Sequence, residues 1–250
     1  MELQKVQILG ISVSAINMTQ AAAVIEEWVS SRKHHYVCVT GVHGVMESRN
    51  DEQLRRIHNE AGLVTPDGMP LVWLSRLKGQ GHVRRVYGPD LMLELCRRSL
   101  EKKYRHFFYG GAEGVAEKLT GRLRQKFPGI EIAGTLCPPF RTLTEPEDAE
   151  IIANINRARP DIVWVGLSTP KQERWMAEHV GKIQAPVLIG VGAAFDFHAG
   201  VKKQAPRWMQ RSGLEWLFRL IQEPRRLAGR YLVNNPKFVA AVIKEWLTGR

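Results

Sequence analysis

Over its first 200 residues the sequence alternates short apolar runs with longer stretches whose apolar positions recur at helical spacing. Residues 6–11, 36–40, 106–109, 130–136, 161–167 and 187–191 read as buried strands. Between them, residues 19–33, 51–61, 90–102, 112–127, 145–158 and 171–180 read as helices. One helix start is marked by Thr144 and Glu147, a capping box in which each side chain satisfies a backbone N–H of the first turn. Strand and helix alternating in this way imply an α/β protein, with a parallel or mostly parallel sheet flanked by helices. In such sheets ligands bind beyond the carboxyl ends of the strands. The loops to search for chemistry are therefore 40–44, 110–114, 166–172 and 190–200, all rich in glycine or polar residues.

Beyond residue 200 the pattern changes. Residues 213–222 put Leu214, Leu217, Phe218 and Ile221 on one helical face, and residues 236–247 carry a wide stripe of Phe238, Val239, Val242, Ile243, Trp246 and Leu247. The last 50 residues hold four Lys and seven Arg against three Glu, so +8 of the formal net charge of +11 lies there. The protein thus divides into an α/β domain, 1–200, where catalytic chemistry is to be sought, and a basic amphipathic helical appendage, 201–250, with membrane association as its expected role. Arg207, Arg211, Arg219, Arg225 and Arg226 are interleaved with Trp208, Trp216 and Tyr231, which suits an interfacial anchor on anionic lipid. Nucleic acid is the rival polyanion, and the stripes would equally serve a homo-oligomer.

Composition narrows the class further. With 44% apolar and 24% charged residues, an ordinary hydrophobic core can be buried. There is no run of 18 apolar residues, and the opening Met1-Glu2-Leu3-Gln4-Lys5 has no leader character, so the expected location is cytoplasmic. Cys38, Cys96 and Cys137 lack disulfide or metal spacing and read as reduced core residues. The eight histidines form no ligand pattern, so no metal is expected.

Four short segments carry candidate chemistry. Gly110 and Gly111 lie between a strand and a helix, where glycines either cradle a diphosphate on backbone N–H groups or satisfy a tight turn. Thr65-Pro66-Asp67-Gly68 has the composition of a turn, yet places Asp67 to act as a general base. Asp196, between Phe195 and Phe197, either orients a donor sugar or caps backbone amides. Ser168-Thr169-Pro170-Lys171-Gln172-Glu173 opens a helix, and after capping is accounted for it leaves Lys171 and Gln172 on the ligand side. The sequence has no Asp-x-Asp pair to hold a divalent metal on a diphosphate, so leaving-group charge falls to residues such as Arg84 and Arg85. No complete dinucleotide fingerprint occurs, which disfavours a nucleotide-dependent enzyme of other chemistry such as a reductase.

Together these segments resemble the WecG/TagA/CpsF family of bacterial glycosyltransferases. The resemblance rests on Thr65-Pro66-Asp67-Gly68, Arg85-Val86-Tyr87-Gly88-Pro89-Asp90-Leu91, Thr169-Pro170-Lys171-Gln172-Glu173, Gly190-Val191-Gly192-Ala193-Ala194-Phe195-Asp196, Lys203-Gln204-Ala205-Pro206-Arg207-Trp208, Gly213-Leu214-Glu215-Trp216-Leu217-Phe218-Arg219-Leu220 and Glu223-Pro224-Arg225-Arg226, in this order. It implies a Rossmann-like core and an inverting, metal-independent enzyme without a cofactor. The implied donor is a UDP-sugar of hexose or N-acetylhexosamine type, and the implied acceptor a polyprenyl-diphosphate-linked saccharide, in cell-surface or exopolysaccharide synthesis. The enzyme would act on the inner face of the cell membrane, with no nucleic acid partner. Asp67 falls on the family's proposed base, and Thr40, Arg85, Gln172 and Asp196 fall on other pocket positions. The basic tail matches a membrane-targeting appendage. Where the family usually shows Thr-x-Asn, this protein has Thr40-Gly41-Val42-His43, which offers His43 for recognition of a different sugar.

Overall fold

The computed structural model describes residues 3–248; Met1 and Glu2, part of the opening read for a leader, and Gly249 and Arg250 lie outside the described residues. In sequence order the elements begin with β1 (Lys5–Ile8), β2 (Ile11–Ser14), α1 (Met18–Ser31), β3 (His35–Thr40), α2 (Val42–Asn50), α3 (Glu52–Glu60), β4 (Leu63–Pro66) and α4 (Met69–Leu77). They continue with α5 (Gly88–Lys102), β5 (Arg105–Gly110), α6 (Val115–Lys126), β6 (Glu131–Leu136), α7 (Glu145–Ala158), β7 (Ile162–Gly166), α8 (Lys171–His179) and β8 (Val187–Gly190). The last are α9 (Ala194–His198), α10 (Arg207–Arg211), α11 (Glu215–Gln222), α12 (Pro224–Ala228), a wider π-helical turn (Gly229–Val233) and α13 (Asn234–Thr248).

The main sheet has six strands in the order β4-β3-β8-β7-β5-β6, with parallel pairing at each junction from β3 to β6. Helices flank it, as the alternation implies, and the arrangement is the Rossmann-like α/β fold implied by the family resemblance. The central strands β7 and β8 are apolar and buried along almost their whole length, as strands covered on both faces must be. β6 is the exception to the buried reading of residues 130–136. As an edge strand it is at best half-buried.

Residues 6–11 do not form one strand of this sheet. They contribute to a separate antiparallel hairpin, β1 with β2, whose turn places Leu9 at φ +49° and Gly10 at φ +87°. An apolar run cannot announce that a left-handed pair interrupts it. Nor does the apolar pattern announce the helices α2 and α4. α2 carries Gly44, Ser48 and Asn50 and has no side-chain cap, so local propensity signals it weakly. The capping box at α7 is present, with the Glu147 carboxylate accepting from the Thr144 N–H at 2.9 Å and from its hydroxyl at 3.0 Å. Cys38 and Cys96 are buried, whereas Cys137 is exposed, because it follows the half-exposed edge strand.

The fold divides into two compact units. The first comprises 1–18, 39–87 and 204–250; the second comprises 19–38 and 88–203. In the first, the tail is fastened through Glu245 of α13, which accepts from the Leu9 N–H at 3.2 Å and from Lys78 Nζ at 2.6 Å. α11 is seated by Gly213, at φ +75°, where a β-carbon would come within 2.8 Å of the Trp73 ring. In the second, Phe108 and Phe195 meet edge-on, and the Phe195 ring packs over Gly166 of β7.

The closest backbone approach in the second unit is at Gly110, φ +109°, where an added β-carbon would lie 2.9 Å from the carbonyl carbon and oxygen of Gly166. Both are backbone atoms that cannot swing aside, so Gly110→Ala is expected to cost roughly 2–4 kcal/mol. Urea denaturation followed by far-ultraviolet circular dichroism measures it.

Candidate active site

Asp67 is the first residue after β4, and its backbone N–H donates to the Thr40 carbonyl at the end of β3, at 2.9 Å. The two glycines beside this junction lie close together: a β-carbon on Gly68 would be 3.5 Å from the Gly41 α-carbon, an ordinary contact distance. Thr40 itself is buried, 2% exposed. The sequence 84–87 is pinned alongside, with the Arg84 N–H donating to the Ile16 carbonyl and the Val86 N–H to the Pro66 carbonyl, at 3.3 and 3.0 Å. That leaves the side chain of Arg85 aimed at residue 67.

Arg85 is the hub of the site. Its Nε donates to the backbone carbonyl of Asp67, and its Nη2 donates to Asp67 Oδ1 at 3.2 Å and to Glu215 Oε2 at 2.6 Å. The guanidinium stacks 4.0 Å from the centre of the Tyr87 ring. The Tyr87 hydroxyl completes the circuit by donating to Glu215 Oε1 at 2.9 Å. The side chains of Arg85, Asp67 and Glu215 are 16%, 27% and 12% exposed. These are charged groups with little water to share, which is why pairing and stacking govern their behaviour.

Burial leaves Asp67 hard to ionise despite the guanidinium beside it. Burial raises its carboxyl to about 6; Arg85 and then Arg219 oppose the rise, and Glu215 adds to it. Burial and Glu215 likewise push the Tyr87 hydroxyl well up, so it remains a donor at any working pH. A carboxylate titrating near 6 is a better proton acceptor at neutral pH than one titrating near 4, while still being ionised.

The tail adds further positive charge nearby. Arg219 is half-buried on α11, and Arg230, in the π-helical turn, is depressed by burial and by Arg219 and Arg226. Crowded cations of this kind favour an anion. Arg226 also pairs with Glu223 through two bonds of 2.6 Å, and Arg207, Arg211, Arg225 and Arg226 are exposed. His43 lies in α2, its Nδ1 3.3 Å from Asn234 Nδ2 and 3.5 Å from Glu47 Oε1, against the start of α13. Asp67, Thr40, Arg85, His43 and the tail arginines all belong to the first unit.

Gly110, Gly111, Lys171, Gln172 and Asp196 all belong to the second. Here packing explains much of what the sequence left open. Gly110 is required by the approach to Gly166, and the Gly111 N–H is taken by the Gly166 carbonyl at 3.0 Å. Gln172 is buried, its Oε1 accepting from Gly192 N–H at 3.0 Å and its Nε2 donating to Glu173 Oε1 at 3.1 Å. Lys171 is exposed, 5.1 Å from the centre of the Phe140 ring. Asp196 lies on the short helix α9 rather than on an open loop, and pairs with Lys202 Nζ at 2.9 Å.

Sequence reasoning does not single out Glu215 and Tyr87, although both stand in the segments that carry the resemblance. A lone acid opening a helix in a strongly basic tail is the available signal. Among the described residues no group of three or more His, Cys, Asp or Glu is placed to hold a metal ion.

The sequence pattern of the glycosyl transferase WecG/TagA/CpsF family matches residues 6–250. The chain belongs to this family. It is 33% identical over 198 residues, 79% of its length and 74% of the relative's, to the N-acetylglucosaminyldiphosphoundecaprenol N-acetyl-beta-D-mannosaminyltransferase of Bacillus spizizenii. To the protein of the same name from Bacillus subtilis it is 34% identical over 188 residues, 75% of its length and 70% of the relative's. To that from Staphylococcus aureus strain MW2 it is 26% identical over 242 residues, 96% of its length and 92% of the relative's. The hub around Arg85 is therefore a feature of a glycosyltransferase.

The raised Asp67 carboxyl has a consequence for the stability of this glycosyltransferase. Its ordinary value is 3.8 and its folded value about 6, so the folded protein holds the proton more tightly than the unfolded one. That contribution is complete below about pH 4 and is lost as pH rises through 6. After a discount for partial exposure, Asp67→Asn is expected to stabilise the protein at pH 7.5 by ~1–2 kcal/mol. At pH 4 it is expected to change little. Thermal melts of parent and variant at the two pH values check the sign.

Proposed function

We propose that this glycosyltransferase transfers an N-acetylhexosamine-type sugar from a UDP-sugar to a polyprenyl-diphosphate-linked saccharide, with inversion at the anomeric carbon and without a metal or cofactor. The names of the three relatives, each an N-acetylmannosaminyltransferase acting on N-acetylglucosaminyldiphosphoundecaprenol, support both the class of donor sugar and the acceptor. The observation that carries the mechanism is the Asp67 carboxylate, held by Arg85 and titrating near 6. In the proposed step Asp67 takes the proton of the acceptor hydroxyl as its oxygen attacks the anomeric carbon, and the bond to UDP breaks on the opposite face. Charge building on the departing diphosphate is met by arginines, with Arg219 and Arg230 the nearest tail candidates in the first unit. Thr40 and His43 are proposed to contact the substrates. For the donor we propose Gly110, Gly111, Lys171, Gln172 and Asp196, on the strength of the family resemblance and of their places after β5, β7 and β8.

We further propose that residues 201–250 associate with an anionic membrane surface on the cytoplasmic side. No helix among the described residues is long and apolar enough to cross a membrane. The tail nevertheless exposes Trp208, Ile221, Leu232, Val239, Ile243, Trp246 and Leu247 beside its arginines, the mixture an interfacial site requires.

Two measurements test these readings. A screen of UDP-sugars against a polyprenyl-diphosphate-linked N-acetylglucosamine, with the product's mass and anomeric configuration determined, should return one N-acetylhexosamine donor and inversion. In the same assay Asp67→Asn should lose at least about 100-fold in kcat while remaining folded; undiminished turnover would remove it as the base. Because the tail also supplies Glu215, membrane binding is better tested by substitution than by truncation. Replacing Trp246 and Leu247 with Ser should lower flotation with phosphatidylglycerol vesicles in roughly 0.5 M salt, whereas binding lost entirely with salt would favour a phosphate-only partner such as nucleic acid.

A further inference from the structure

The sequence offers Arg85 to the departing diphosphate, yet in the fold its guanidinium is already committed. One nitrogen serves the Asp67 backbone, another is shared between the carboxylates of Asp67 and Glu215, and one face lies on Tyr87. Glu215 is equally committed, with one oxygen on Arg85 and the other on the Tyr87 hydroxyl. It sits in the first turn of α11, which Gly213 holds tightly against Trp73 and Met69 of α4. An acid placed this firmly beside a general base, 12% exposed and bonded through both oxygens, does more than hold the tail in place.

We infer that Glu215 is a positioning residue for the transfer reaction: through Arg85 and Tyr87 it fixes the Asp67 carboxylate in place and keeps it basic enough to accept a proton. The inference rests on the reading of Asp67 as base. Its logic is geometric first. Without Glu215, Arg85 would be free to turn its full fork on Asp67, forming a bidentate pair that ties up both lone-pair edges and weakens the base. With Glu215 present, the guanidinium is divided between two acids and only Nη2 reaches Oδ1 of Asp67. The charged and titratable groups facing Asp67 are Arg85, Glu215 and Arg219, and burial together with Glu215 outweighs the two arginines. Tyr87 remains protonated and serves as the fixed donor that aims Glu215. Tail helix α11 therefore carries two opposing settings, Glu215 raising and Arg219 lowering the proton affinity of the same carboxylate.

The test uses the full-length protein labelled with [γ-13C]aspartate, in which the Asp67 resonance is the one missing from Asp67→Asn. In the parent it should titrate near 6; in Glu215→Gln its midpoint should fall by about one unit, towards the ordinary carboxylate range. The acid limb of the pH dependence of kcat/KM, measured with the UDP-sugar that the screen returns and a polyprenyl-diphosphate-linked N-acetylglucosamine, should move down with it, and kcat should fall about 10-fold. Glu215→Asp keeps the charge but shortens the reach, and stands in should Glu215→Gln fail to fold. It should lower kcat while leaving the midpoint closer to the parent's. Coincident midpoints in parent and folded Glu215→Gln would overturn the inference while leaving Asp67 as base. Undiminished turnover by Asp67→Asn would overturn both. A purely structural Glu215 would lower the melting temperature without moving either midpoint.

Discussion

The candidate site depends on one guanidinium. Arg85 joins three segments that lie far apart in sequence: the turn after β4, its own stretch before α5, and the first turn of α11. Its side chain is 16% exposed, so the charge is compensated by the Asp67 and Glu215 carboxylates and by the π face of Tyr87 rather than by bulk water. Removing the cation would leave two carboxylates facing each other with little solvent, a loss that typically costs about 3–5 kcal/mol. With burial added to one cation facing two acids, the Asp67 carboxyl is left near 6.

The tail takes part in this balance. Residues 204–250 are packed with 1–18 and 39–87 in a single unit, and they bring both Glu215 and Arg219 to bear on Asp67. The same tail leaves Trp208, Trp246 and Leu247 exposed. Of the stripe seen in the sequence at 236–247, only Phe238 is buried, while Val239, Ile243, Trp246 and Leu247 are exposed. The amphipathic pattern therefore serves two ends, an inner set for packing and an outer set available to another surface, and periodicity alone does not separate them.

In the second unit most of the suspected chemistry is also structure. Gly110 and Gly166 are close because two neighbouring parallel strands end together, and Gln172 spends both ends of its amide on Gly192 and Glu173. Such residues hold the strand-end turns in shape. A residue that fixes a loop and a residue that binds a ligand carry the same signature in sequence.

The strand and helix alternation, the capping box at Thr144 and the positions of the strand-end loops were legible in the residues, since hydrophobic periodicity and capping act over a few neighbours. So was the family, through motifs whose order along the sequence is local information. Tertiary structure decided the rest. It turned residues 6–11 into half of a hairpin, made helices of 42–50 and 69–77, and brought Glu215 onto Arg85 across 130 positions. No local rule reaches that far. The proton affinity of a carboxylate is set by which charges surround it and how little water the folded protein leaves there, and those are properties of the fold rather than of any segment.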